Sequence, residues 1–406
     1  MKVIWATRHR PHPAHGGGAV AEYEVIRAAA RHHELVVVSG GLDPGGPAPE
    51  LDALGVEHVG VAWEPLPHPP NRAALLRHVA TGREPLVVFQ VQPCAAAVSR
   101  AVADLEASRP FDVVSVFPGE VAPVAGTTRA PSALLLPDCY TRQARRELAE
   151  ATAWRHRVRW GFEARTTERW EREVYPRASA LACMSVVDGP VLEELTGREL
   201  DLIPLPVGDE WLEPASMARD LDVVFVGALD YRPNIEGLRW LAREIWPRVV
   251  AASPSTRLHV VGRNPVPEVR EAVAACDGSL HADVPDVRPW YWRARASISP
   301  VRLGSGTRNK ILHAMACGAP LIATSASIEG IGCTDGRDLL VADEPAAFAD
   351  AILGTLTDGL AAGARAEHAR HVVRRHAGDQ VTAAVDRFWE RAAAEPRRPG
   401  PCGSSS

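Results

Sequence analysis

The sequence predicts an α/β protein built from two doubly wound domains with parallel sheets, and three observations carry that expectation. Short runs such as Leu35–Val38, Asp112–Phe117 and Asp222–Val226 are β-branched and apolar without alternation, as in strands covered on both faces. Helical patterns separate them, so βαβ units open at Lys2 and again at Asp222. A chain of 406 residues also exceeds one ordinary hydrophobic core, which makes two domains of about 150 to 200 residues the natural division.

Composition narrows the function. With 46% hydrophobic and 23% charged residues the chain reads as an ordinary soluble globular protein. A net charge of −5 argues against a nucleic-acid binder, which needs a basic face. The seven cysteines are scattered and include no Cys-x-x-Cys pair, so neither a disulfide framework nor a zinc site is expected, and a cytoplasmic location fits. Met1–Ala6 is too short an apolar run for a signal peptide, and no window reaches the roughly 18 apolar residues of a membrane span. The heavy use of Ala, Arg, Gly and Pro is that of a high-GC bacterial genome.

In the first half, strand Lys2–Ala6 leads through a loop into a helix from about Ala19 to Arg31, then strand Leu35–Val38. Gly16, Gly17 and Gly18 at that helix start let backbone approach an anion closely. His9, His12 and His15 share the loop, but prolines interrupt it and no carboxylate or cysteine joins them, so a solvated loop outweighs a metal site. A strand at Val56–Ala62, helices at Arg72–His78 and Cys94–Ser108, and strands at Asp112–Phe117 and Ala133–Leu136 follow. Ligands of parallel sheets sit beyond the C-terminal strand ends, which singles out Glu120 and Asp138 as groups that could orient an acceptor. A helix cap for Asp138 and a loop carboxylate for Glu120 are the competing structural roles.

Thr141–Tyr175 is a long charged helical region with interleaved Trp154, Trp160, Phe162 and Trp170. Such a segment can bind membranes or nucleic acid, yet its glutamates balance its arginines, so a solvated helix pair with aromatic packing anchors is expected. Strand Ala180–Met184, helix Ser185–Gly197 and strand Leu202–Leu205 complete a domain of residues 1–207. Residues 208–220 read as a linker, 221–375 as the second domain, 376–395 as a C-terminal helix and 396–406 as a disordered tail.

The second domain opens with strand Asp222–Val226, helix Ile235–Pro247 and strand Arg257–Val261, with helix Val269–Ala275 beyond them. Strand Ala296–Val301 then turns through Gly304, Ser305 and Gly306 into helix Asn309–Cys317, closed by Gly318 and Pro320. Arg308 and Lys310 stand in the first turn of that helix, where the helix dipole opposes cations. A docked anion reverses that cost, so the segment reads as a diphosphate site.

Four stretches of this half resemble the family 4 glycosyltransferases, in particular a bacterial subgroup with a G-S-G-T-R-x-K-I-L-x-A-M-A motif. They are V-G-A-L-D-Y-R-P-N at Val226–Asn234, G-R-N-P at Gly262–Pro265, V-P-D-V-R-P-W-Y at Val284–Tyr291, and the run from Pro300 to Pro320. The first half matches more loosely, through Gly16–Gly18, Phe111–Val114 and Ala182–Ser185. The resemblance implies the GT-B architecture: two Rossmann-like domains facing across a cleft, with C-terminal helices packing back toward the N-terminal domain. It implies retaining, metal-independent transfer from a nucleotide-sugar, which is a co-substrate, with no cofactor.

Arg308 and Lys310, with the amides of Gly306 and Thr307, would hold the diphosphate, and Gly262, Arg263, Asn264 and Val284 would wall the base. Gly17, Gly18, Gly304 and Ser305 complete the donor contacts, while Glu120 and Asp138 stand on the acceptor side. Three positions depart from the family pattern. Ser305 and His313 replace a pair of glutamates, the second of which grips ribose, and Ala228 replaces a phosphate-binding arginine, for which Arg232 is a candidate substitute and a turn residue before Pro233 the competing reading. Histidine offers one hydrogen bond in place of a bidentate carboxylate. The competing reading is a GT-B protein that binds a nucleotide or sugar without turnover and partners another transferase. Donor base, donor sugar, acceptor and homo-oligomerisation stay open.

Overall fold

The computed structural model describes residues 1–12, 17–41, 46, 48–64, 72–213, 217–302 and 309–395, the side chains at 17 and 72–76 excepted. Contacts divide the chain into a first unit, Met1–Pro204 with Val381–Ser406, and a second unit, Leu205–Gln380. Each is an α/β layer structure around its own sheet.

The first unit's strands are β1 (Lys2–Thr7), β2 (Glu34–Gly41), β3 (Glu57–Ala62), β4 (Val113–Phe117), β5 (Ser132–Leu136), β6 (Ala180–Cys183) and β7 (Asp201–Leu202). They pair in the order β3-β2-β1-β4-β5-β6-β7, all parallel. The order reverses between β1 and β4, and such a switch point leaves a crevice beyond the carboxyl ends of both strands. Val3–Ala6 and Val113–Phe117 are buried along their whole length, which is why they read as unbroken apolar runs.

The second unit repeats the plan with β8 (Leu221–Val226), β9 (Leu258–Gly262), β10 (Ser279–Ala282), β11 (Ala294–Ser299), β12 (Leu321–Ala323) and β13 (Leu340–Val341). Their order is β10-β9-β8-β11-β12-β13, again parallel, with the switch between β8 and β11. The chain has the GT-B fold class, two doubly wound parallel sheets in succession.

The last helix, Gly378–Ala394, enters the first unit at Val381. Its Trp389 is fully buried, meets Trp5 edge-on at 6.5 Å and donates from Nε1 to Ser115 Oγ at 3.2 Å. Asp386 accepts from His33 at 2.7 Å, and Arg391 pairs with Asp201 at 2.7 Å. An amphipathic helix with two large aromatics needs a sheet to cover, and the first sheet supplies it.

Several elements differ from the sequence reading. One helix runs from Leu86 to Ser108 straight through Pro93, where the pattern suggested a start at Cys94. Val88 and Val91 before the proline join the same buried core as Cys94, Ala95, Val98 and Val102, and that burial outweighs the lost backbone bond. By length and composition this helix is also apolar enough to cross a membrane, contrary to the expectation that no such window exists. Strand β10 went unread because Ser-Leu-His-Ala is half polar. Residues 208–220 contain a short helix, Asp209–Leu212, that lies within the second unit. Trp154, expected as a packing anchor, is 70% exposed.

Candidate active site

In the second unit the ends of β8, β9 and β10 are tied into one rim. Gly227 N donates to Val261 O at 3.0 Å, and Leu229 N to Arg263 O at 2.9 Å. A Cβ on Gly262 would fall 1.8 Å from Gly227 O, so glycine is required where the two strand ends touch. Asn264 and Asp283 both adopt left-handed backbone, with φ of 52° each, a conformation short polar side chains tolerate. Asn264 donates from its backbone to Asp283 Oδ1 and from Nδ2 to Asp230 Oδ2, each at 3.0 Å, while Asp283 N donates to Gly262 O at 2.9 Å. The rim thus gathers Gly262, Arg263, Asn264 and the adjoining Val284. Arg232 opens the helix Arg232–Trp240 just past β8 and is exposed.

Lys310 is the second residue of helix Asn309–Ala316. Its Nζ donates to Asn234 Oδ1 at 2.6 Å and stands 4.9 Å from the centroid of the Phe225 ring. Asn234 is buried and turned so that Nδ2 donates to Ala228 O at 2.8 Å, leaving Oδ1 for the ammonium. The helix carrying Asn234 lies tight on the end of β11, since a Cβ on Gly237 would be 2.7 Å from Pro300 O. A lysine is therefore fixed at the switch point of β8 and β11, where ligands of such sheets bind. Arg308, Gly304, Ser305, Gly306 and Thr307 lie outside the described residues.

His313 follows one turn later, and the indole of Trp211 lies flat on its ring, centroids 3.6 Å apart and planes 6° from parallel. Burial pushes the imidazole down to about 3, so it is neutral throughout the physiological range. Tyr291 meets the same indole edge-on at 6.4 Å and donates from its hydroxyl to Lys310 O at 3.3 Å. Trp211, Tyr291, Lys310 and His313 form one packed group.

The rim of the first unit is rich in carboxylates. Glu120 accepts from Arg8 at 3.1 Å and from the Tyr140 hydroxyl. Asp138 lies near Asp188 and Glu120; burial first, then those two charges, raise its carboxyl to about 6. Asp188 is buried and paired with Arg142 at 3.3 Å through Oδ1, its Oδ2 having no partner among the described residues. Glu22 is buried beneath Trp5 Nε1, which donates to it at 2.8 Å, and burial raises it to about 8. Burial, followed by the charge of Arg8, holds His9 below its usual value, although Glu120 opposes both.

Asp138 does not cap the following helix. Its N-cap is Cys139, and Glu171, from the helix Trp154–Val174, accepts from the backbone of Tyr140 at 3.0 Å and Thr141 at 3.2 Å. With those amides served elsewhere, the Asp138 carboxylate stays at the rim. Gly17 and Gly18 begin the helix Gly17–Ala29 after β1, and nothing lies within 4 Å of a Cβ built on Gly18. Gly16 and His15 lie outside the described residues; His12 pairs with Glu50 at 3.1 Å.

The family described as glycosyl transferases group 1 matches residues 220–358. This segment is similar to that family. A curated relative, an uncharacterized 44.6 kDa protein in the cps region of Klebsiella pneumoniae, is 28% identical over 140 residues. That match covers 32% of this chain and 36% of the relative, so the chain spans about a third of that protein's length. Sucrose-phosphate synthase from Thermosynechococcus elongatus superposes with a TM-score of 0.71 at 15% identity, over 96% of this chain and 98% of that one. HepE of Anabaena, solved with UDP and glucose, gives 0.68 at 13% identity over 96% and 99%. At such identities the likeness is one of fold.

Within the matched segment Gly262, Asn264 and Lys310 stand at the ends of strands and the start of a helix around the sheet's switch point. In the first unit Arg8, His9, Glu120 and Asp138 come together as one cluster. Asn234, Trp211, Tyr140, Asp188 and Glu22 had not been read as site residues. Asn234 was visible as the last residue of Y-R-P-N, whereas Trp211 stood in a stretch that looked like linker.

Proposed function

We propose that the chain is a retaining, metal-independent glycosyltransferase that moves a sugar from a nucleotide-sugar to a small-molecule, glycan or natural-product acceptor in the bacterial cytoplasm. The observation that carries this reading is Lys310, held by Asn234 at the switch point of a sheet whose residues match the group 1 family. Lys310 meets the charge of the diphosphate, and the resemblance assigns Arg308 and the Gly306 and Thr307 amides to the same task. Gly262–Asn264 and Asp283–Val287 wall the base. The tie of Asn264 to Asp283 and Asp230 keeps that wall preformed.

Transfer with retention needs a stabilised leaving group more than an ionised nucleophile. As the bond from the anomeric carbon to the diphosphate oxygen breaks, positive charge at Lys310 and Arg308 lowers the energy of the departing anion. The acceptor oxygen bonds to the anomeric carbon on the face the diphosphate leaves, and the freed diphosphate oxygen takes its proton. Asp138 and Glu120 orient the acceptor hydroxyl in the first unit. The HepE structures hold UDP and UDP-glucose, which makes uridine nucleotides the first donors to test. Isothermal titration with a panel of nucleoside diphosphates tests the donor site: one of them should bind, and the Lys310→Ala variant should lose that binding. No binding across the panel would overturn the reading.

A further inference from the structure

The helix Trp154–Val174 carries a surface that nothing in the donor or acceptor chemistry uses. Its glutamates do not balance its arginines evenly. Glu163 accepts from Leu86 N at 3.1 Å and from His78, Glu168 pairs with Arg145 and Arg172, Glu171 serves the preceding helix, and Glu173 pairs with Arg169. All four lie beyond the first two turns of the helix. The first two turns, Trp154 to Gly161, contain Arg155, His156, Arg157 and Arg159 and no acid. Among the described residues none of these arginines has a carboxylate partner.

The same two turns are apolar where helices normally are not. Trp154 is 70% exposed and Val158, one turn on, 65%. Arg155 lies over the Trp154 ring at 5.5 Å and Arg159 over Trp160 at 5.4 Å, so the cations flank the aromatics. The neighbouring segment adds to the patch. His78 packs edge-on to Phe162 at 5.5 Å and Leu86 is pinned to Glu163, which brings Val79 and Val87 beside this helix, 52% and 36% exposed. Arg77 and Arg83 are exposed on that segment, and Glu84 beside them is an acid whose carboxyl feels the charge of Arg77. Four of the nine most exposed large apolar side chains among the described residues thus fall in one place, which marks a surface rather than scatter.

We propose that this face of the first unit docks on an anionic phospholipid surface. Arginines attract the negative headgroup layer while Trp154, Val158, Val79 and Val87 enter the interface, the division of labour of an interfacial amphipathic helix. Nucleic acid would use the arginines and leave the three valines in water. A chain of net charge −5 that concentrates arginines without carboxylate partners around exposed apolar groups is matched to a membrane surface locally, whatever its overall charge. The inference is independent of the donor chemistry.

Vesicle co-sedimentation of the full chain tests it, with phosphatidylcholine alone and with phosphatidylcholine mixed with phosphatidylglycerol. The protein should sediment with the mixed vesicles only, and added salt should release it. The triple variant Arg155→Glu, Arg157→Glu, Arg159→Glu should lose binding by at least about 100-fold, from roughly fivefold per arginine. Trp154→Ser with Val158→Ser should weaken it by about tenfold or more. Circular dichroism and nucleotide binding should match the wild type in both variants, because neither touches the donor site. Equal sedimentation of wild type and triple variant, absence of binding to the mixed vesicles, or binding of DNA or self-association through this face in place of vesicle binding would each overturn the proposal.

Discussion

The indole of Trp211 lies flat on the imidazole of His313, 3.6 Å away and 6° from parallel. The stack covers one face of the residue that stands where the resemblance places a ribose-gripping glutamate. It keeps the ring dry and neutral, with its value near 3. The Trp211→Ala variant should let water reach the imidazole and move its titration up toward the ordinary 6.5, as read by NMR of the ring protons. In the wild type the unfolded chain binds a proton at this residue below pH 6.5 and the folded chain does not until about 3. Stability contributed here is therefore present above pH 6.5 and falls as pH drops through that window. His376, lowered to about 4 by burial, acts in the same direction, so in urea unfolding at each pH the Glu22→Gln variant, which lacks the opposing carboxyl, should lose stability between pH 6.5 and 4.

Lys310 and Asn234 form the second testable pair. Removing the ammonium by Lys310→Met should cost about 1.5 to 3 kcal/mol of nucleoside-diphosphate affinity, the range for a charge-assisted hydrogen bond. Asn234→Ala keeps the charge but frees it, so the loss should be smaller. Calorimetric titration of both variants orders the two effects, and thermal unfolding near the wild-type temperature confirms that the fold is kept.

Asp138 should give the reaction an acid limb. Its carboxyl is raised to about 6, so a step that needs the ionised form falls off as pH drops through that value. The Asp138→Asn variant should lose the limb together with about 100-fold or more of kcat/KM. Profiles of kcat/KM against pH for the two proteins make the comparison.

Glu22 carries a pH effect of opposite sign. Its folded value near 8 against an ordinary 4.5 means that the unfolded chain loses this proton first, so stability falls as pH rises from 4.5 to 8. Glu22→Gln removes a charge the core holds only as the acid, and its amide oxygen can still accept from Trp5 Nε1. The variant should be more stable by roughly 3 kcal/mol at pH 7 and unchanged at pH 4, by urea unfolding at each pH.

How far the sequence disclosed this molecule follows from where the physics is local. Val3–Ala6 and Val113–Phe117 were legible because doubly covered strands are apolar at every position. Lys310 was legible because a cation at a helix start is locally unfavourable and so asks for a ligand. The role of Asn234 was not, since it depends on which helix packs against β11 through Gly237. Trp211 was hidden for the same reason: a four-residue helix has no periodicity to read, and only the folded chain brings it onto His313. Asp138 shows how a local rule can mislead, because Glu171, 33 positions further along, takes over the helix amides that a cap would have served.

The central claim is that the second unit binds a nucleotide-sugar for transfer, with Lys310 stabilising the departing diphosphate. Release of nucleoside diphosphate from a panel of nucleotide-sugars, with and without acceptors, measures it most directly. The account predicts turnover with at least one donor, uridine diphosphate sugars first, and a loss of about 100-fold or more in Lys310→Ala. Nucleotide binding without turnover on any donor and acceptor, or full turnover in Lys310→Ala, would contradict it.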